Sequence, residues 1–521
     1  MKRHDRQRSL PVWPTAALVL LIAVLQIVPA QAQRSGQAGR RSERNLKIHR
    51  QKHRELHNKL MTDLERLALY CEDNNFPEDA AKIRTLAAPV DSLLMQAEPL
   101  PKQVQPEIPR SLPDEERYWQ IQLQDAQTTY AKKLYLLSRR VLHAGSPSYA
   151  YHLVRETARH NPDHRSTRRL LGYIRNGTEW VTPFTAQMRR RRFVWHDQYG
   201  WLPKSHVGKY ESGRRFFKGR WISAAQEAEF RRDFKLAWKV RSDHYLIKTN
   251  HSLERGVEVA GLLEGFHEHF VQTFAGFFST PEQMQKLFNG NGPRSSDLNK
   301  PYEVHYYRTR DEYNERLASK IPQIAITNGL YYTTDRTAYF YHDPSGANER
   351  TLYHEATHQL LYESSPRDRP IAVNENFWII EGIACYMESF TRQNGRLSLG
   401  DPRNDRFVAA RNRYLNDEYY VPLGQFTRMG MQQFQSDMNI RKNYSQASGL
   451  AHFLMHYENG RYRDALVQHL SEIYNVDPRR SGTSSSLDEL ASTTFADLDR
   501  QYGRYLKHLQ DGLDRLRQRR Q

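Results

Sequence analysis

The sequence predicts an α+β fold that is mostly helical. Two observations carry this. Apolar residues recur at helical spacing over long stretches of both halves, as in Val257, Leu262, Phe266, Phe270 and Phe274. Short alternating segments rich in β-formers, such as Tyr302–Tyr307, gather in one part of the C-terminal half. At 521 residues the chain is long enough for several domains and a substantial core.

Residues 1–32 read as a signal peptide. Lys2, Arg3, Arg6 and Arg8 make a basic start, Ala16–Val28 is apolar but short for a bilayer span, and Ala30-Gln31-Ala32 is a cleavage signature. The chain is therefore expected to be secreted, periplasmic or at the cell surface, with no integral membrane span after cleavage; an uncleaved anchor is the alternative. Residues 33–115 divide into three pieces. Arg34–Gln51 is a basic leader expected to be flexible. Leu60–Leu94 is a helix pair broken at Asn74-Asn75-Phe76-Pro77. Residues 96–114, with Pro99, Pro101, Pro106, Pro109 and Pro113, are a linker. Residues 116–180 are helical. Within them Tyr149–Tyr173 resembles a tetratricopeptide-type hairpin, although no second copy follows.

Residues 181–238 form an aromatic and basic, β-rich linker module. Trp195, Trp201, Tyr210, Phe216, Phe217 and Trp221 either make a polymer-binding surface or fill a small core, and the core is favoured. Residues 239–521 begin with a strand at Lys239–Thr249, followed by a long helix over Leu253–Phe278. Tyr302–Tyr307 is a strand, Asp311–Leu317 a short helix, and Leu330–Thr333 and Thr337–Tyr341 two more strands. The last strand is expected at the sheet edge, where an extended peptide could add; an ordinary hairpin fits the pattern equally well.

The net charge is +18, so anionic cell-surface polymers are expected partners of the basic surface. Arg189–Arg192 is the densest basic run, but no nucleic-acid module accompanies it and nucleic acid is not an expected partner. Cys71 and Cys385 are expected to be buried free thiols. His267 and His269 are two residues apart and share no helical face, so they read as solvated or polar-face histidines, without a metal role.

His354, Glu355 and His358 form an HExxH pattern. Residues four apart lie on one helical face, so the two imidazoles can aim at one metal while Glu355 reaches a bound water. Histidine is common in this chain, and a surface helix with titrating histidines is the competing explanation. The flanks argue for a structured helix: Pro344 and Ser345 form an entry, Leu352, Ala356 and Leu360 an apolar stripe, and Pro366 an end. Zinc needs a third protein ligand. Glu381, 23 residues after His358 and inside the apolar run Phe377–Phe390, is the best candidate. A carboxylate there needs a partner. Arg367 or Arg369 is the alternative to a metal.

HExxH followed by Trp378-Ile379-Ile380-Glu381-Gly382-Ile383-Ala384 resembles the gluzincin clan of zinc peptidases, which includes thermolysin and neutral zinc aminopeptidases. It is also similar to an uncharacterised family of secreted, peptidase-like proteins of planctomycete bacteria. The resemblance spans most of the mature chain and is most specific over Tyr302–Tyr457. It implies a gluzincin-like domain with a small sheet, the HExxH helix and a glutamate-ligand helix. It further implies that His354, His358 and Glu381 hold one zinc ion and that Glu355 is the general base. In the aminopeptidase branch a tyrosine opening a later helix supports the oxyanion, and Tyr444, 63 residues after Glu381, matches that place; packing is the competing role. Two departures stand out. The thermolysin branch has an aspartate where this chain has Cys385, so the residues orienting the ligands must differ. No Gly-x-Met-Glu-Asn motif precedes HExxH, and the nearest segment is Asn328-Gly329-Leu330-Tyr331, so exo- or endo-cleavage stays open.

The expected function is a secreted zinc-dependent peptidase acting on peptides or proteins. The alternative, from another class, is a non-catalytic cell-surface scaffold that binds a polymer or protein and retains a peptidase fold.

Overall fold

The computed structural model describes residues 16–86, 95–97, 99–279, 281–288, 300–346, 349–365, 370–393, 396–475 and 485–518. The fold is α+β and about 62% helical, with small sheets.

The N-terminal half is built on four helices: α1 (Ala16–Asp73), α2 (Pro77–Leu86), α3 (Asp114–His143) and α4 (Pro147–His160). Phe76 N–H closes the break between α1 and α2 by donating to the Cys71 carbonyl, and Pro77 starts α2 where no N–H is needed. Leu60, Leu64, Ala68, Leu134, Val141 and Leu153 belong to one core, so these helices share a single interior. The expected division at residue 115 is thus not a break in packing. The expected flexible leader is also corrected, because Arg34–Gln51 lies inside α1. Its end is anchored: Arg50 donates to the carbonyls of Glu458 and Asn459, the first at 3.1 Å. Of the expected signal peptide, residues 1–15 lie outside the described residues. No helix among the described residues is long and apolar enough to cross a membrane.

The proline-rich stretch is paired rather than free. Strand β1 (Met95–Ala97) pairs antiparallel with Arg396–Leu399, three hundred residues away in sequence. Further along, the Lys102 carbonyl accepts from Trp180 N–H at 2.7 Å. Proline removes donors from this segment, yet its carbonyls still serve neighbouring strands. Residues 193–223 form two antiparallel hairpins in which Trp195 faces Trp201 and Phe216 faces Trp221. Tyr210 and Phe217 are buried while Trp195 and Phe216 are exposed, so these aromatics divide between a core and a surface.

The C-terminal half centres on a mixed five-stranded sheet. Its strands are β2 (Trp238–Arg241), β3 (Tyr245–Thr249), β4 (Tyr302–Tyr307), β5 (Leu330–Tyr332) and β6 (Thr337–Tyr341), in the spatial order β5-β6-β4-β3-β2. The single strand expected over Lys239–Thr249 is a hairpin turning at Ser242–His244. Thr337–Tyr341, expected at the edge, is interior and buried at all five positions. β5 is the edge instead, because β6 pairs with β4 in parallel and β5 folds back antiparallel on its far side. Alternation then sorts the side chains. Val304, Tyr306, Ala338 and Phe340 join the main core, while Tyr307, Tyr339 and Tyr341 pack on the other face with Tyr313 and Leu317.

Helix α5 (Leu253–Thr273) crosses over between β3 and β4 and covers the main face. Ser252 caps it by accepting from Arg255 N–H at 3.1 Å, a bond worth about 1 kcal/mol. Against the same face lie α6 (Glu349–Glu363), α7 (Phe377–Met387) and α8 (Ile440–His456). Each of the eleven residues of α7 is buried. Such a helix has no water to satisfy its first donors. Asn376 and Phe377 donate instead to the carbonyls of Thr427 and Met429, at 2.7 and 3.1 Å. Gly382 lets α8 approach α7: a Cβ there would lie 2.7 Å from the Ala447 carbonyl oxygen. The glycine of the WxxEGxA pattern is therefore a packing residue.

Candidate metal centre

α6 spans 15 residues, about four turns. Ser345, expected to cap it, lies in a preceding turn where its N–H donates to Asp343 at 3.0 Å. Pro366, expected to end it, lies outside the described residues, and so do Arg367 and Arg369, the alternative partners of Glu381. Leu352, Ala356 and Leu360 are buried, which orients the opposite face of α6 toward α7.

On that face three side chains converge. His354 Nε2 and His358 Nε2 are 3.2 Å apart. Glu381 Oε2 lies 3.6 Å from the first and 3.9 Å from the second. Ligand atoms around a tetrahedral zinc ion are roughly 3.3 Å apart, given bonds of about 2.0–2.1 Å. Two imidazoles and a carboxylate at this spacing are a donor set that could hold such an ion. Their side chains retain 14%, 18% and 10% exposure, enough for access from solvent.

Glu355 is anchored at the sheet edge. Its Oε2 accepts from the Tyr331 N–H of β5 at 2.7 Å. Tyr444 reaches the cluster from α8, and its hydroxyl hydrogen-bonds Glu381. Burial and the Glu381 charge raise its pKa, so the phenol stays protonated as a donor. Tyr444 does not open its helix: α8 starts at Ile440, one turn earlier. All five expected site residues thus meet in one region, four from α6 and α7 and one from α8.

One residue escaped the sequence reading. His354 Nδ1 is 2.8 Å from Glu388 Oε1, and Arg406 grips that carboxylate through Nε and Nη2, each at 2.8 Å. Burial opposes the charge on Glu388, but the bonds from His354 and Arg406 outweigh it and hold the pKa at about 2. This pair occupies the orienting role left open by Cys385, which is buried, unpaired and hydrogen-bonded to His354. The signal was present: Glu388 follows Glu381 by seven residues, two turns along one helical face. Cys71 is likewise buried and unpaired.

His269 is not solvated, whereas His267 is only partly buried. His269 is 2% exposed with neither ring nitrogen bonded, and His267 stacks on His244 with ring centroids 3.8 Å apart. Burial pushes each pKa down to about 3. The expectation fails for His269, which is buried against the core, while His267 keeps partial exposure on the side of a cavity.

Residues 348–478 match a family described as a protein of unknown function, DUF1570. The matched stretch contains His354, Glu355, His358, Glu381, Glu388 and Tyr444. No curated protein matches the chain.

Proposed function

We propose that this chain is an exported zinc-dependent peptidase of the gluzincin type, cleaving peptide bonds in peptides or proteins. The observation that carries the proposal is the convergence of His354, His358 and Glu381, with the Glu355 carboxylate beside them at an open sheet edge. When bound there, zinc would bring the pKa of a water toward ~7 and polarise the scissile carbonyl. Glu355 takes the proton of the attacking water and returns it to the departing amine. The Tyr444 hydroxyl donates to the carbonyl oxygen as negative charge develops. Glu388, held by Arg406, fixes the ring of His354 so that Nε2 faces the site. The basic surface is proposed to hold the protein near anionic cell-surface polymers.

Glu388→Gln is expected to weaken zinc affinity roughly 10- to 100-fold while the chain stays folded. Competition with a chromogenic chelator reads this, and unchanged affinity would remove Glu388 from the role. The function itself is tested on a panel of quenched-fluorescence peptides. Turnover lost on chelation and regained with zinc supports it. Zinc bound without turnover on any peptide would favour the scaffold reading.

A further inference from the structure

The Ser242–His244 turn between β2 and β3 lies over α5, the helix that also packs on α6 through Phe266 and Tyr353. Glu264 and His267, three residues apart, share a face of α5. One donor atom each from His244, Glu264 and His267 lie within 4.8 Å of one another. We propose that these three residues form a second metal site, for a divalent ion of the zinc class, distinct from the HExxH centre.

Three features of the geometry support it. First, the carboxylate is already oriented. Glu264 Oε1 accepts from Ser242 Oγ and from His244 N–H, both at 2.6 Å, and Oε2 faces His244 Nδ1 at 2.6 Å. Fixed outer hydrogen bonds of this kind aim a ligand oxygen at one point. Second, two imidazoles and one carboxylate suit zinc and its neighbours, whereas calcium and magnesium prefer all-oxygen sets. Third, an ion has a way in. The three residues line a cavity of about 1840 Å³, which also takes in Arg191, Arg192 and Trp195.

The cavity as a whole is lined by eight Lys and Arg against five Asp and Glu, but carboxylates gather at the three residues themselves. Asp243 adds a second carboxylate, held by the hydroxyls of Thr182 and Thr185 at 2.8 and 3.0 Å. Arg241 is the nearby counter-charge, and its guanidinium is committed to the Ser242 and Tyr245 carbonyls. Ligation requires one rearrangement. His244 and His267 stack with planes 20° apart, so His267 must turn about χ2 to share an ion with its neighbour. The cavity on its side gives room for that turn. The ion would replace the bond between His244 and Glu264, and it would tie the β2–β3 turn to α5.

The test uses the full chain carrying both His354→Ala and Glu381→Ala, which removes ligands from the HExxH centre and from the neighbouring group of His354, Cys385 and Glu388. Cobalt(II) titration followed by visible absorption is expected to show one equivalent bound with tetrahedral d–d bands. Adding His267→Ala should abolish the bands and lower affinity at least tenfold. A folded double variant that binds no cobalt would overturn the proposal, as would bands that survive His267→Ala in it. If the double variant does not fold, the parent chain decides: two zinc ions per chain falling to one in His267→Ala support the site. One zinc ion, unchanged in His267→Ala, overturns it. None of these readings depends on whether the chain hydrolyses peptides.

Discussion

Glu355→Gln is expected to lower peptide turnover by ~10²- to 10⁴-fold while zinc stays bound. The amide keeps the size of the side chain, and its carbonyl oxygen can still accept from the Tyr331 N–H that anchors Glu355 now. The three proposed ligands are untouched. What disappears is the proton acceptor, because an amide has no basic site at neutral pH. The loss corresponds to roughly 3–5 kcal/mol of barrier. Steady-state hydrolysis of a responsive peptide, beside zinc content, reads both halves of this expectation. A variant that keeps both full turnover and zinc would exclude Glu355 as the base.

The second large effect is expected at Glu381. It is 7% exposed in a helix that is otherwise apolar, and it is the only carboxylate facing both His354 and His358 among the described residues. Glu381→Ala leaves two imidazoles 3.2 Å apart with no third donor, and it strands the Tyr444 hydroxyl. Zinc affinity at the HExxH centre should fall by more than the ~10- to 100-fold typical of an orienting residue. Glu381→Gln provides a control of similar volume, so a packing defect can be separated from a ligand defect.

Local periodicity made much of the C-terminal half legible. The four-residue spacing of His354 and His358 and the strands at Tyr302–Tyr307 and Leu330–Tyr332 follow from rules that act within one element. The carboxylate in the apolar run at Glu381 was legible for a similar reason, since burial demands a partner. What stayed hidden depends on partners distant in sequence. The edge position of β5 follows from a parallel pairing of β6 with β4, which no local pattern encodes. Met95–Ala97 joins Arg396–Leu399 across the whole sheet region. Glu388 lacked a visible purpose without Arg406, which arrives from the next helix. Arg34–Gln51 looked flexible because its composition is polar, yet its end is secured by carbonyls near residue 458. The stacking of His267 on His244 was hidden because His244 sits in a turn before α5.

The most direct measurement of the central claim is the zinc bound at the HExxH centre of the purified chain. Parent and Glu381→Ala should be compared by elemental analysis after dialysis against a weak chelator. Glu381→Ala is predicted to hold about one zinc ion fewer than the parent, with folding verified by circular dichroism. Equal zinc in the two folded chains, or none in the parent after supplementation, would contradict a three-ligand centre and with it the peptidase proposal.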